Sequence, residues 1–397
     1  MSLKRIIASD ILDTTLSAAL TIYIYWFTYH HFLSQFMVSV IGFGQLSGVL
    51  LSTFGGGISD RVNKLSFIKS LKFLKIVLLG IIFFLEGSVS IEILLPLFML
   101  SSTIIGNLLS PTLESLIPFL VKEEDELYQV NSVVASLTQL ASIMAIIVSA
   151  GYITFLSFRA VIILSLLLAV ISFVLLLGTH VENPLQAQSV LKNITSGIRY
   201  ILKTPYIRDL MPIALIMNFA FWSIFLLLPK IANDHFSFWN ISYSGLELSF
   251  ALGGVLGGWL LSKYSLNFKN KYSLFKITLL CQSLVLLFLG INLALLSGII
   301  SYIVMLAMWF SYAVLNTVFS IVYFGSLQVK VPKVIIGSVI GSILTLFSLV
   351  NPLAALTSGF LVIISPISIL IIVFAVIMLF AAVAAGRLSS IQRAFES

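Results

Sequence analysis

Four polar side chains near the start of the chain interrupt an apolar segment at a regular spacing. Asp10, Asp13, Ser17 and Thr21 follow one another at intervals of three or four residues, which places them on one face of a helix. A carboxyl group inside such a segment is costly and is a functional candidate for that reason. If it faces a cavity, it can bind and release a proton as access to the cavity changes. Asp13 is therefore our first candidate for proton exchange.

A structural interpretation competes with this one. Both aspartates would then lie near the end of the segment, partly hydrated, and would cap the helix or pair with Lys4 or Arg5. We prefer this interpretation for Asp10, whereas both interpretations stay open for Asp13.

Two later carboxyl groups are further candidates for proton exchange. Glu114 continues a stripe that contains Asn107 and Ser110, although a structural ion pair with a loop base is the favoured interpretation. Glu247 has no neighbouring base in the sequence. It either extends towards the membrane surface or exchanges protons in a cavity.

Amide and aromatic side chains at helical spacing indicate a ligand cavity. Aromatic walls with a few amide groups suit a bulky, partly apolar ligand. Such stripes more often serve packing or lipid contact, but an amide that faced lipid would lack hydrogen-bond partners. The cavity candidates are Asn107, Asn218, Trp222, Trp309, Tyr312 and Asn316.

A short charged loop separates two apolar runs between Gly56 and Lys64. Gly56 permits the tight turn, and Asn63 also tolerates a left-handed backbone. Asp60, Arg61 and Lys64 can pair with helix ends or with neighbouring helices. The loop is therefore a candidate structural element at the membrane surface.

Several kinds of chemistry lack the residues that they need. The sequence has no nucleotide-binding G-x-x-x-x-G-K-[ST] loop, and its four histidines do not form a metal or catalytic set. Cys281 is the single cysteine, so neither a disulfide nor a cysteine metal site is available. We expect no enzymatic activity, no metal and no cofactor.

The composition identifies an integral membrane protein. Of 397 residues, 59% are hydrophobic and 9% are charged, too few polar side chains to cover a soluble particle. A spanning helix needs about 20 mainly apolar residues, and the sequence predicts twelve. The predicted spans are 6–28, 36–58, 69–86, 92–114, 131–154, 158–178, 210–231, 241–262, 273–296, 299–325, 333–356 and 362–386.

The distribution of positive charge predicts the orientation. With these spans, all of the 22 basic residues except Arg159 and Lys230 fall on one side. The positive-inside rule makes that side cytoplasmic, so both termini are expected in the cytoplasm. The net charge of +7 then reports topology, and we expect no nucleic-acid partner.

The spans divide into two sets of six. We predict an N-terminal bundle (1–178), a cytoplasmic linker with an amphipathic helix (179–209) and a C-terminal bundle (210–397). Gly258 to Lys263 repeats the position of the earlier charged loop, with Ser262 where Asp60 would fall. The fold class is therefore all-α, with twelve spans in two pseudo-symmetric halves, a design in which substrates bind near the midplane.

At this point the sequence resembles the major facilitator superfamily over nearly its whole length. The loop resembles the family's G-x-L-a-D-R-x-G-R pattern at Gly56, Asp60, Arg61 and Lys64, with Lys64 in place of the final Arg. The resemblance implies that this loop braces the halves and takes part in gating. Similarity to the drug, macrolide and siderophore exporter branch comes from Pro111 to Pro118 with Asn131-Ser132, Gly197 to Tyr200, and Pro332 with Gly337.

In the resembled fold, helices 2 and 11, and helices 5 and 8, meet between the halves. Gly44 and Gly48 of the second span, with Gly253 and Gly257 of the eighth, are therefore expected to form sliding contacts between halves. Static packing would need the same small residues.

Together these features predict a monomeric multidrug-type permease of the plasma membrane. We expect proton-coupled efflux, as in an antiporter, of a small amphipathic molecule by alternating access, with protons and the lipid bilayer as its other partners. Uptake or facilitated diffusion of a metabolite is the first alternative. A non-transporting membrane receptor or scaffold is the second.

Overall fold

The computed structural model of the protein describes residues 2–52, 63–86, 89–117, 124–179, 198–264, 271–331 and 336–396. Long helices dominate these ranges, and the chain divides into two compact units, Met1–Val190 and Leu191–Ser397. Residues 180–197, the central part of the predicted linker, lie outside the described residues. The predicted domain boundaries therefore stay a prediction.

The helices of the first unit correspond to the six predicted spans of the N-terminal half. A predicted apolar run forms the body of each helix, and some helices, such as the first and the fifth, begin earlier than their predicted spans. Their bounds are α1 Ser2–Phe32, α2 Gln35–Ser52, α3 Lys64–Leu85, α4 Ile91–Leu116, α5 Glu124–Phe155 and α6 Phe158–Val174.

The second unit has the remaining six spans, two short helices, and a further helical stretch at 198–203 within the predicted linker. The short α8 follows the seventh span, and α14 follows the last span. The bounds are α7 Pro205–Phe225, α8 Leu228–His235, α9 Ser242–Tyr264, α10 Lys271–Leu295, α11 Gly298–Lys330, α12 Ile336–Ile364, α13 Ile367–Ala385 and α14 Ser389–Glu396.

Within the described residues, eight helices are long and apolar enough to cross a membrane. The helices α2 and α6 and the second part of α5 are shorter apolar segments. The remaining span, α3, differs because it carries four lysines along an otherwise apolar sequence. All twelve predicted spans are thus found as helices.

The two units share their main helix contacts. In the first, α1 packs against α5 and α6, α2 against α4, and α3 against α4 and α6. In the second, α7 packs against α12 and α13, α9 against α11, and α10 against α11 and α13. Each of these five contacts of the first unit recurs between the helices six spans later. The contact pattern therefore confirms the predicted pseudo-symmetry.

The glycines of the second and eighth spans pack inside their own halves. A Cβ atom on Gly44 would lie 2.6 Å from the carbonyl oxygen of Pro96 in α4. One on Gly257 would lie 2.6 Å from the carbonyl oxygen of Val314 in α11. Gly48 and Gly253 meet the same two partner helices. These four glycines therefore bring helices of the same half close together, and their expected role as sliding contacts between the halves stays a prediction.

The start of α3 corrects one detail of the charged loop. Asn63 has φ −63° and ψ 111°, an extended conformation. Its side-chain oxygen accepts a hydrogen bond from the backbone N–H of Ser66 at 3.0 Å. Asn63 therefore serves as the N-cap of α3, and the left-handed backbone that the sequence suggested is absent at this residue.

The glycine contacts give a direct test of packing. We expect Gly44→Ala to lower stability by about 1–3 kcal/mol, because its methyl group would overlap the Pro96 backbone. Thermal unfolding of the purified protein in detergent measures this change. Gly80→Ala in α3 is the matched control, since a Cβ there meets no atom within 4 Å. Equal melting temperatures for the two variants would contradict the packing described.

Candidate functional site

A buried ion pair joins α1 to α3 in the N-terminal half. The Nζ atom of Lys75 lies 2.8 Å from Oδ1 of Asp13, and the exposed fractions of the two residues are 2% and 7%. The Ser17 hydroxyl donates to the Asp13 carbonyl oxygen at 2.6 Å and also contacts the Lys75 ammonium group. The partner of Asp13 is thus Lys75.

This pairing corrects two expectations. Asp13 does not pair with Lys4 or Arg5, which the structural interpretation had proposed. Lys75 had been counted among the bases at the cytoplasmic surface, together with Lys72, but both are buried inside the helical bundle. A buried pair of opposite charges needs close geometry to offset the loss of hydration, and the 2.8 Å separation supplies it.

Two further lysines of α3 bind backbone and hydroxyl oxygens. Lys72 Nζ donates to the Ser9 carbonyl oxygen at 3.0 Å and to Ser172 Oγ at 2.8 Å. Lys69 Nζ donates to the Thr179 carbonyl oxygen at 3.0 Å. These bonds connect α3 to α1, to α6 and to the segment that follows α6. Hydrogen bonds thus satisfy both ammonium groups, which have a structural role.

The ion pair forms part of the wall of a cavity of about 550 Å³. Helix α1 contributes its whole polar stripe, and α4 contributes Asn107 from the opposite wall. Among the described residues that line this cavity, none is aromatic. The structure therefore brings together the predicted residues of α1 and α4. Polar lining residues beside the ion pair include Asp10, Ser17, Thr21, Gln45, Asn107 and Ser110.

Several predicted residues lie where the structure gives no side-chain information. Gly56, Asp60 and Arg61 of the predicted gating loop fall outside the described residues, and so does the side chain of Glu114. Lys64 is described: it is the first residue of α3 and is buried. The gating role of this loop therefore stays a prediction.

Glu247 is buried in α9 of the C-terminal half. Its exposed fraction is 8%, which does not fit a side chain that extends to the membrane surface. Tyr243, one turn earlier, forms a hydrogen bond with its carboxyl group, while Oε1 has no hydrogen-bond partner among the described residues. None of the described ion pairs includes Glu247. It lies in a different unit from the cavity that contains Asp13.

The predicted aromatic wall of the C-terminal half is packed against itself. Trp309 and Tyr312 are fully buried and stack with ring centroids 5.4 Å apart. Phe221 of α7 stacks on both rings, and the ring centroid of Phe250 in α9 lies 5.2 Å from that of Trp309. Packing, the alternative considered from the sequence, therefore describes these two residues. Asn316, one turn further along α11, is half-buried.

An amide pair joins α7 to α12. The side-chain amides of Asn218 and Asn351 contact each other, and that of Asn218 also contacts the Phe347 carbonyl oxygen. With the amide of Asn351 oriented to suit its neighbours, its oxygen accepts from the indole N–H of Trp222 at 3.2 Å. Asn218 and Trp222 thus hold two helices together. The sequence analysis missed Asn351, although an amide inside an apolar run was the signal that had identified Asn218.

Lys75 is the main residue that the sequence analysis missed. Its signal was present, because lysines at positions 69, 72 and 75 recur every three residues inside a predicted span. The rule that made Asp13 a candidate applies equally to a cation in a span.

Within the described residues, no group of three or more His, Cys, Asp or Glu side chains could hold a metal ion.

Comparison with known proteins identifies the family. A family model described as Major Facilitator Superfamily matches residues 8–355. The chain belongs to this superfamily. Membership confirms a multi-pass membrane transporter fold and makes a small-molecule substrate the expected partner. No curated protein sequence matches the chain.

Solved transporter structures share the fold at low identity. The nucleoside transporter NupG is 14% identical, with a TM-score of 0.75 over 98% of this chain and 100% of that one. A bacterial homologue of the iron transporter ferroportin, in an inward-facing state, is 14% identical, with a TM-score of 0.73 over 98% and 99%. A bacterial homologue of the human lysosomal transporter Spinster is 14% identical, with a TM-score of 0.72 over 99% and 98%. Structural similarity at this low sequence identity establishes the fold and does not identify the transported molecule.

The ion pair predicts a characteristic pattern of stability. Asp13→Asn and Lys75→Gln should each lower the free energy of unfolding by about 3–5 kcal/mol, because each leaves an unpaired buried charge. The double variant should lose less than the sum of the two. Thermal unfolding in detergent measures all three. Glu247→Gln is the control, since it breaks none of the described ion pairs; additive losses at positions 13 and 75 would contradict the pairing.

Proposed function

We propose that the protein is a proton-coupled exporter that moves a small molecule across the plasma membrane by alternating access. The observation that carries the proposal is the buried Asp13–Lys75 ion pair in the wall of the N-terminal cavity. A charged pair inside a membrane-spanning bundle marks a substrate or proton pathway by default. Family membership supports transport in general, and the coupling and the direction are our proposal.

Asp13 is the group proposed to exchange protons. A proton on its carboxyl group would remove the negative charge that binds Lys75, whose ammonium group would keep its contact with the Ser17 hydroxyl. A cationic group of the cargo could replace Lys75 on the same carboxylate. Proton and cargo would then exclude each other at Asp13. If the proton binds from one side of the membrane and the cargo binds from the other, the two are transported in opposite directions, which is antiport. Glu114 and Glu247 remain secondary candidates for proton exchange.

Export rather than uptake is proposed from the sequence. The segments from Pro111 to Pro118 and from Gly197 to Tyr200 resemble the exporter branch of the superfamily. From the distribution of basic residues we propose that both termini lie in the cytoplasm. In this arrangement the loop that contains Asp60 and Arg61 lies on the cytoplasmic side, where we propose that it braces the gate.

A flux assay in proteoliposomes tests coupling and direction together. The wild-type protein should move at least one of four labelled probe classes (zwitterions, cations, anions, neutral compounds) against its gradient when a pH gradient is imposed. Asp13→Asn should abolish this proton-driven flux, because position 13 can no longer take up a proton, while the remaining lining groups keep part of the binding.

Two outcomes would reject parts of the proposal. Full retention of proton-driven flux in Asp13→Asn would remove Asp13 from the coupling step. Absence of flux for every probe class in the wild-type protein would favour a receptor or scaffold. The double variant Asp13→Asn with Lys75→Gln controls for misfolding, because it leaves neither charge unpaired and should also lose proton coupling.

A further inference from the structure

We propose that the cargo is a small aliphatic zwitterion resembling an amino acid, whose ammonium group binds Asp13 and whose carboxylate binds Lys75. This inference rests on the proposed function, because it assigns a substrate class to the same cavity. It departs from the amphipathic, drug-like cargo expected from the sequence. Three features of the N-terminal half carry it.

The first feature is that both charges line the same cavity. Lys75 Nζ lies 2.8 Å from Asp13 Oδ1, and both residues belong to the cavity wall. A cationic cargo on Asp13 would leave the Lys75 ammonium group buried without a counter-charge. An anionic cargo on Lys75 would do the same to Asp13. A zwitterion supplies both counter-charges at once, so the pair can open without leaving an uncompensated buried charge.

The second feature concerns the other described charged groups near the cavity. Lys72 is held by Ser9 and Ser172 and is absent from the lining of the cavity. Asp10 lines the cavity but takes part in an interaction of its own. Among the described charged residues of the cavity wall, Asp13 and Lys75 are the two that contact each other, so they can exchange their mutual contact for contacts with a ligand.

The third feature is the character of the remaining wall. Gln45, Asn107 and the hydroxyl groups of α1 and α4 can bind the backbone-like polar atoms of a ligand. Met99, Ile105 and Leu109 offer an apolar surface, and none of the described lining residues is aromatic. A volume of about 550 Å³ has room for an amino acid or a short peptide.

Binding of a matched set of probes to the purified protein tests the inference. The set contains leucine and the dipeptide leucyl-leucine, each in four forms: free, blocked at the amine, blocked at the carboxylate, and blocked at both. Isothermal titration calorimetry in detergent should show binding of a free form about tenfold tighter than either singly blocked form, because each singly blocked form leaves one buried charge unpaired.

Variants test whether the ion pair causes the preference for the free forms. Asp13→Asn combined with Lys75→Gln removes both charges and should bind the free and doubly blocked forms within about twofold of each other. Lys230→Gln combined with Asp234→Asn makes the same chemical change in an ion pair on α8 that is 2.6 Å long and partly exposed. That variant should keep the wild-type preference.

The outcomes separate this inference from the proposed function. Equal or tighter binding of a singly blocked form, no binding of either free form, or a preference that survives in the Asp13/Lys75 double variant would overturn the inference. Proton-driven flux of cations or neutral compounds alone would also overturn it while leaving the exporter proposal intact. Ion-pair-dependent binding of the free forms without any flux would support the site and reject the exporter.

Discussion

A lysine ammonium group inside a membrane-spanning bundle must find its counter-charge and hydrogen-bond acceptors within the protein, because hydrocarbon offers neither. Helix α3 places Lys72 and Lys75 in that situation. Helix α1 supplies the carboxylate of Asp13 and the carbonyl group of Ser9, and α6 supplies the hydroxyl group of Ser172. The same bonds that hold α1, α3 and α6 together thus set one ion pair in the cavity wall. Stability and the candidate site depend on one set of contacts.

The two halves share helix contacts but differ in chemistry. In the N-terminal half, charged and hydroxyl groups surround a cavity. In the C-terminal half, amides connect α7 to α12, and a stack of rings fills the space between α7, α9 and α11. Shared packing follows from repeated small residues and apolar length, whereas the polar positions are free to diverge. The fold therefore fixes the mechanical class, and the side chains decide the cargo.

The sequence predicted what depends on local pattern. Apolar runs gave the twelve spans, and the spacing of Asp10, Asp13 and Ser17 gave the polar face of α1. What it missed depends on contacts between distant residues: the partner of Asp13 lies 62 positions away. Charge near a predicted helix end suggested a surface location for Lys75, and only packing shows that it is buried. Likewise Gly44 signals a close approach of two backbones without naming the helix that it approaches.

The lysines of α3 also bear on how the protein enters the membrane during synthesis. On insertion scales, a single lysine at the centre of a helix costs about 2.5–3.5 kcal/mol, and α3 carries Lys69, Lys72 and Lys75 within seven residues. Once these lysines are counted, the apolar side chains of α3 favour its insertion into the membrane only weakly. Helix α1 is made earlier and carries both Asp13 and Ser9, so it can receive two of these cations before α6 exists. The order of the helices along the chain thus suits the biogenesis of its most polar span.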